Sequence, residues 1–322
     1  MSLFTCPLCQ SPLLPAADTW RCDGSLNPKR INHPFDVARQ GYVNLLPVQQ
    51  KKSKAPGDSQ ASIDARKRFL NAGYYQPLRD LIKQQMMQLL VKNRQIVAPI
   101  SEQKRLTVNW LDIGCGEGYY TQGMAEIGAS DDSGVIDTLI AADISKPAVS
   151  ALAKVSKAAE QLWYQHHKDD TTQKTIVYPL VTSAAHLPLR AHSMTGVSSI
   201  FSPILPEAFA NVLMDDGYLL IAKPDVEHLA TMRAALFDSV REHDSDKFLQ
   251  ELAPHFTLID SHTVSTDLTL PAIDLADLMT MTPYAYRARA EKRQALLVRS
   301  EEAPFQTQAK FVVYVLQKTV DK

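Results

Sequence analysis

No apolar run in this chain approaches the ~20 residues that a membrane span needs. The first residues, Met-Ser-Leu-Phe-Thr-Cys-Pro-Leu-Cys, lack a basic stretch followed by a long apolar one, so a secretory signal is not expected. Cysteine is scarce: four in 322 residues exclude a disulfide scaffold and point to a reducing, cytoplasmic compartment. No Gly-Lys-Ser/Thr occurs, which excludes a phosphate-binding P-loop. Net charge is also nearly absent, at −1. What remains is a chain with 45% apolar residues, long enough for one large domain or two modest ones.

The charge balance hides an asymmetry. Residues 1–83 carry 12 Lys/Arg against 6 Asp/Glu, and the remainder carries 22 against 29. A basic first third on an acidic remainder points to a polyanionic substrate held by that third.

Residues 107–118 read Thr-Val-Asn-Trp-Leu-Asp-Ile-Gly-Cys-Gly-Glu-Gly. A short apolar run ends at Asp112, the glycines Gly114, Gly116 and Gly118 follow, and a helix-forming stretch begins at Tyr119. Strand, glycine turn and helix in that order cradle a nucleotide-like ligand at the carboxyl end of a parallel strand. A dinucleotide fingerprint would place its third glycine at 119, where Tyr119 stands. Asp-x-Gly-x-Gly-x-Gly instead resembles motif I of the class I S-adenosylmethionine (SAM) methyltransferases, whose loop wraps the methionine end of the cofactor. A second acid, Asp143, closes the apolar run Ile136–Ala142, about 25 residues past the loop, near the ~20 expected of an acid that accepts ribose hydroxyls. Asp143 or Ser145 would also suit the N-cap of a helix over Pro147–Lys157, and the two roles are compatible.

Cys6-Pro-Leu-Cys9 is a knuckle; Cys22 follows after 12 residues and His33 after ten more. Cys, Cys, Cys and His make a closed tetrahedral zinc set in a segment too small for its own core. Asp23 or Asp36 could stand in for His33. The rival reading of Cys6 and Cys9 as a redox pair needs a flanking strand and helix, and the pattern offers neither. Cys115 lies inside the glycine loop and is left out.

Zinc module 1–40 leads into a basic linker and helices over 41–92, with helices at 61–70 and from Tyr74–Tyr75 to about Lys92. Arg66-Lys67-Arg68 could track a phosphate backbone, with Tyr74 or Tyr75 stacking on a base, or could form a solvated face. The methyltransferase domain is expected over 93–322. Its later strands read as 176–181, 195–201 and 217–223, with a final antiparallel pair at 256–264 and 310–316 and a helical insertion at about 271–296. The expected fold is α/β, a Rossmann-like seven-stranded doubly wound sheet with its site at the carboxyl ends of the strands, plus the small zinc-binding module.

Several segments together resemble one family. They are Cys6-Pro-Leu-Cys, His33-Pro-Phe-Asp, Gly41-Tyr-Val-Asn-Leu-Leu-Pro-Val, Pro56-Gly-Asp-Ser, Tyr75-Gln-Pro-Leu-Arg-Asp, Leu111-Asp-Ile-Gly-Cys-Gly-Glu-Gly-Tyr-Tyr-Thr and Met281-Thr-Pro-Tyr-Ala-Tyr-Arg-Ala-Arg. In this order they are similar to the RlmA-type 23S ribosomal RNA guanine-N1 methyltransferases, closest to the Gram-negative branch. The resemblance implies SAM and zinc as cofactors and a 23S ribosomal RNA hairpin as partner. It implies zinc ligation by Cys6, Cys9, Cys22 and His33, and cofactor contacts from Tyr75, Gly116, Glu117 and His228 beside Asp112, Gly114 and Asp143. It leaves a homodimer open. The chain departs from the family where Ser202-Pro203-Ile204 replaces Ala-Pro-Cys, at the corner that faces the target base. Polar stretches near 93–105 and 164–174 read as surface insertions, with His166 and His167 lacking partners at ligand spacing.

Guanine N1 carries a proton and lies on the Watson–Crick edge. A paired guanine would have to be flipped out, and a hairpin loop avoids most of that cost. The residues do not name the proton acceptor; Asp112 is a weak candidate, given its place at the cofactor loop. A small-molecule SAM methyltransferase would have no use for a zinc knuckle. A non-catalytic zinc RNA-binding protein would have no use for an intact glycine loop.

Overall fold

The computed structural model describes residues 2–51, 53–96, 107–127, 136–166, 174–238 and 247–319. The polar stretches expected as insertions near 93–105 and 164–174 lie largely outside them.

The chain opens with four short antiparallel strands in the order β1 (Phe4–Thr5), β2 (Pro12–Leu14), β3 (Thr19–Cys22) and β4 (Pro34–Asp36). So small a sheet has almost no interior of its own. It leans on the main body instead: Phe4 and Trp20 pack at a tilt, 4.7 Å apart, and meet Tyr178 at 5.1 and 5.7 Å. Backbone bonds reinforce the contact, from Thr5 N to Pro188 O and from Arg190 N to Leu3 O.

Residues 41–92, expected as linker and helices, carry β5 (Val43–Asn44), α1 (Gln60–Asn71) and α2 (Gln76–Ile96). The Ser59 hydroxyl caps α1 by accepting from Ser62 N. Leu78, Ile82, Met86 and Leu89 recur at helical spacing on α2 and are buried against the sheet.

The main body follows as β6 (Asn109–Ile113), α3 (Tyr119–Ala125), β7 (Thr138–Asp143), α4 (Lys146–His166), β8 (Ile176–Val181), β9 (Met194–Ile200), α5 (Pro206–Val212), β10 (Leu213–Pro224), α6 (Ala230–Leu236), α7 (Lys247–Leu252) and β11 (Phe256–Leu270). The expected helical insertion is present as α8 (Ala272–Met281), α9 (Tyr284–Arg287) and α10 (Ala290–Glu302), and β12 (Phe305–Lys318) closes the fold. The sheet order is β11-β12-β10-β9-β6-β7-β8-β5. The pairings from β10 through to β5 are parallel, and β12 runs antiparallel to both β10 and β11. Every residue of β6 and β9 is buried, as strands covered on both faces must be. Along β6, Trp110 faces one core and Leu111 and Ile113 the other.

One difference from expectation is the strand count. The seven predicted strands are all present, and β5 adds an eighth by pairing with β8. Two residues are too short to announce a strand, but they cover a sheet edge that would otherwise be left unpaired. Among the described residues no helix is long and apolar enough to cross a membrane.

Candidate active site and zinc centre

The strand order reverses at β6, between β7 on one side and β9 on the other. In open α/β sheets a ligand crevice forms at such a switch point, and the glycine loop 114–118 leaves β6 there. Gly114 N and Cys115 N both donate to Ala142 O, which ties the loop to the end of β7. Gly114 has φ +70°, and a Cβ on it would lie 2.2 Å from the Ser202 Cβ. Ser202 in turn donates to Ile113 O at 2.9 Å and lies 2.8 Å from the Ser199 hydroxyl. The Ser-Pro-Ile corner therefore abuts the cofactor loop directly.

Asp143 ends β7 with one oxygen accepting from Gly116 N (3.0 Å) and the other from Ser145 N (2.7 Å). Ser145 caps α4, as the sequence allowed, accepting from Ala148 N at 3.4 Å. Each Asp143 oxygen keeps lone-pair capacity for a further donor. Burial pushes both Asp143 and Glu117 above the usual carboxylate range. Asp112 sits under the loop, 1% exposed, and accepts from the hydroxyls of Thr121 (2.6 Å) and Ser198 (2.8 Å). Burial raises its carboxyl to about 6. Enclosed and doubly bonded, Asp112 is a brace for the loop and not an acceptor open to substrate.

Tyr75 and His228 meet on the other wall. Phe311 packs between them, 4.7 Å from Tyr75 and 4.5 Å from His228. Phe311 also contacts Phe201 at 5.2 Å, and Phe201 reaches Tyr120 at 6.2 Å. The His228 Nδ1 accepts from Lys310 N at 3.1 Å, and burial lowers the ring to about 4. At neutral pH the ring is uncharged with its proton on Nε2, so it offers a donor there. The Tyr120 hydroxyl and Glu117 Oε2 are buried without a hydrogen-bond partner among the described residues. Unsatisfied polar atoms beside a glycine cradle suit a polar ligand, and the buried carboxylates suit a cationic one. SAM, with its ammonium and sulfonium, fits both conditions.

Sequence reading missed part of this cleft. The 56–58 segment, expected as a flexible linker, packs on the start of α4: Ser145 donates to Asp58 O at 2.9 Å, and a Cβ on Gly57 would lie 2.7 Å from Ser145. Arg66 ion-pairs with Asp58 at 2.6 Å and lies 3.9 Å from Glu117. Arg68 pairs with Asp277 of α8 at 2.6 Å. Tyr74 donates to Asp274 at 2.6 Å and stacks on Phe69, while Tyr75 is buried. Arg66, Arg68 and the two tyrosines are thus taken up by partners within the chain, while Lys67 stays exposed. Spacing alone carries no signal for such contacts, because Arg68 and Asp277 lie 209 residues apart.

The ligand atoms of Cys6, Cys9, Cys22 and His33 all lie within 4.8 Å of one another. Cys9 and Cys22 sulfurs are 3.8 Å apart, and His33 Nδ1 is 3.6 Å from the sulfurs of Cys6 and Cys22. Tetrahedral zinc with ordinary bond lengths requires about 3.8 Å between sulfurs and about 3.6 Å from sulfur to nitrogen. These four side chains would hold the ion through three thiolates and Nδ1. Asp23 and Asp36 accept from Ser25 N and the Thr19 hydroxyl instead. Burial pushes the Cys6 thiol up to about 12, so its thiolate needs a cation beside it.

Parallel strands β8-β7-β6-β9-β10, an antiparallel β12 beyond them and an acid-bordered glycine loop at the switch point define a class I SAM-dependent methyltransferase, with a zinc ribbon docked on its edge. Residues 4–54 match the zinc-ribbon family described as RlmA, N-terminal. A 23S rRNA (guanine(748)-N(1))-methyltransferase of Streptomyces fradiae is 29% identical over 286 residues, 87% of this chain and 85% of that protein. YxjB of Bacillus subtilis (strain 168), described as a candidate 23S rRNA (guanine-N(1)-)-methyltransferase, is 29% identical over 90% of this chain and 89% of that protein. Ribbon and core together, the chain is similar to the RlmA-type 23S rRNA guanine-N1 methyltransferases over most of its length. Among solved structures, magnesium protoporphyrin IX methyltransferase (ChlM) from Synechocystis PCC 6803 with bound SAH is similar at TM-score 0.44 and 13% identity, over 80% of this chain and 93% of that one.

Proposed function

We propose that this protein methylates N1 of a guanine in a hairpin of 23S ribosomal RNA, using SAM, and does so in the cytoplasm. The observation that carries the reading is the likeness to named guanine-N1 methyltransferases over 87% and 90% of this chain, ribbon and core together. SAM supplies a methyl already made electrophilic by its sulfonium, so the protein's work is alignment and exclusion of water. Asp143 offers its remaining lone pairs to ribose hydroxyls. Glu117 and the Tyr120 hydroxyl offer buried polar contacts at the loop. His228 offers a neutral Nε2 donor at the cofactor wall.

Phe201 suits the target base. It directly follows β9, is 43% exposed, and holds φ +54° while its N donates to Ala222 O. A non-glycine residue held in the left-handed region at a cleft is strained, and its surroundings must enforce it. Its ring is backed by Phe311 and Tyr120 and leaves a face for stacking. On the ribbon and the stretch after it, Arg21, Lys29, Arg39, Lys51 and Lys54 are exposed and have no ion pair among the described residues. They provide phosphate contacts on the same side of the chain's charge divide as the ribbon.

The test is nucleoside mass spectrometry after incubating purified protein and SAM with unmodified large-subunit ribosomal RNA. N1-methylguanosine at one mapped position supports the reading. Absence of any methylated nucleoside, with SAM binding confirmed by calorimetry, rejects free ribosomal RNA as the substrate.

A further inference from the structure

The glycine loop has a cation beside it that local sequence left open between a phosphate-tracking face and a solvated one. Arg66 projects from α1 so that its Nη1 lies 3.4 Å from where a Cβ on Gly116 would stand. The guanidinium therefore rests against the middle glycine of the cofactor loop. We propose that Arg66 holds the α-carboxylate of bound SAM and makes the cleft select a cofactor with an intact amino-acid end. The proposal rests on SAM being the cofactor.

Asp58, Glu117 and Asp143 all act on Arg66; Glu117 is buried and Asp143 half-buried. Three acids favour the ammonium and sulfonium of the ligand, but the same acids repel its carboxylate. A site that takes the whole molecule needs a compensating cation at the loop. Among the described residues, Arg66 is the cation in ion-pair reach of a glycine-loop side chain. Its present contacts leave donors free. Only the Asp58 pair is short, at 2.6 Å; Glu117 stands at 3.9 Å without a hydrogen bond, and Met281 O at 3.5 Å. A guanidinium has five N–H donors in a planar fork and accepts a carboxylate on one edge while keeping another on a second. Asp58 is itself fixed through Ser145, the cap of α4, so the fork is aimed by the strap at 56–58.

Calorimetric binding of SAM and of decarboxylated SAM to wild type, Arg66→Lys and Arg66→Gln tests this. Wild type is expected to bind decarboxylated SAM about 10- to 100-fold more weakly than SAM, the size of one lost charge-assisted pair. Arg66→Gln should bind SAM weaker by a similar factor and show little preference between the two ligands; Arg66→Lys should fall between. Equal affinity of wild type for both ligands overturns the proposal without any variant, so a poorly folding Arg66→Gln does not obscure the answer. Undiminished preference in Arg66→Gln overturns it as well. If wild type binds neither ligand, the cofactor reading itself fails, and Arg66 with it.

Discussion

The zinc ribbon and the glycine loop are both ligand sites, yet they are held together by opposite means. The ribbon has strands of two to four residues, and its four ligand atoms lie within 4.8 Å of one another. The loop is tied by backbone bonds to β7, underlain by Asp112 and latched at Gly116 by one oxygen of Asp143, whose other oxygen accepts from Ser145 N. The ribbon borrows its geometry from a metal; the loop inherits its geometry from the sheet. The two sites should therefore respond differently when their ligands are removed.

The largest contrast is expected from Cys9→Ser. Structural zinc contributes on the order of 10 kcal/mol to folding in small zinc domains. Metal analysis should fall from one zinc per chain to none, and limited proteolysis should open residues 1–40. SAM affinity should stay within about threefold, because the loop's bonds do not pass through the ribbon; an effect near tenfold would mean the two sites are coupled through β8. If one zinc per chain persists, Cys9 is not a ligand.

Asp143→Ala strikes the loop itself. It removes acceptors for two backbone N–H groups and the proposed ribose contact, so SAM should bind roughly 10- to 100-fold more weakly, with the circular dichroism spectrum unchanged. Unchanged affinity by calorimetry would take Asp143 out of the ribose role.

Asp112→Asn sharpens the contrast through pH. Burial raises the Asp112 carboxyl from 3.8 to about 6 in the folded protein. A raised carboxyl favours the folded state fully below its unfolded value, and that advantage is lost as pH rises through about 6. Wild-type stability should decline between about pH 4 and pH 6, by about 2–3 kcal/mol from this group. Asp112→Asn should remove that part of the slope in denaturant titrations. Parallel curves for the two proteins would show that Asp112 ionises freely.

The smallest effect is expected at the mouth. Phe201→Leu keeps bulk but loses a flat face, and turnover on ribosomal RNA should fall about 5- to 30-fold. SAM affinity should be unchanged. Equal losses in RNA turnover and SAM affinity would make Phe201 part of the cofactor wall only.

Much of both sites was legible locally. Cys6, Cys9, Cys22 and His33 carry their chemistry in residue type and spacing. Asp-x-Gly-x-Gly-x-Gly does so too, since a glycine loop must follow its strand at once. The other wall of the cleft was legible only through resemblance: nothing near Tyr75 or His228 announces that Phe311, far along the chain, packs between them. The helix over 61–70 was legible, but the partners of Arg66 and Arg68 were not, because charge runs look alike whether solvated or paired. Arg66 and Arg68 find Asp58 and Asp277 only when α1 is laid against the loop and α8.

By itself, then, the sequence determined the element order, the zinc ligand types and the acid-bordered glycine loop, since each depends on residues close in the chain. Only the tertiary structure decided three things. The ribbon is docked through Phe4, Trp20 and Tyr178. A two-residue strand extends the sheet. Arg66 faces the cofactor loop and not solvent. Each depends on contacts between distant segments, whose energy appears only when packing brings them within reach.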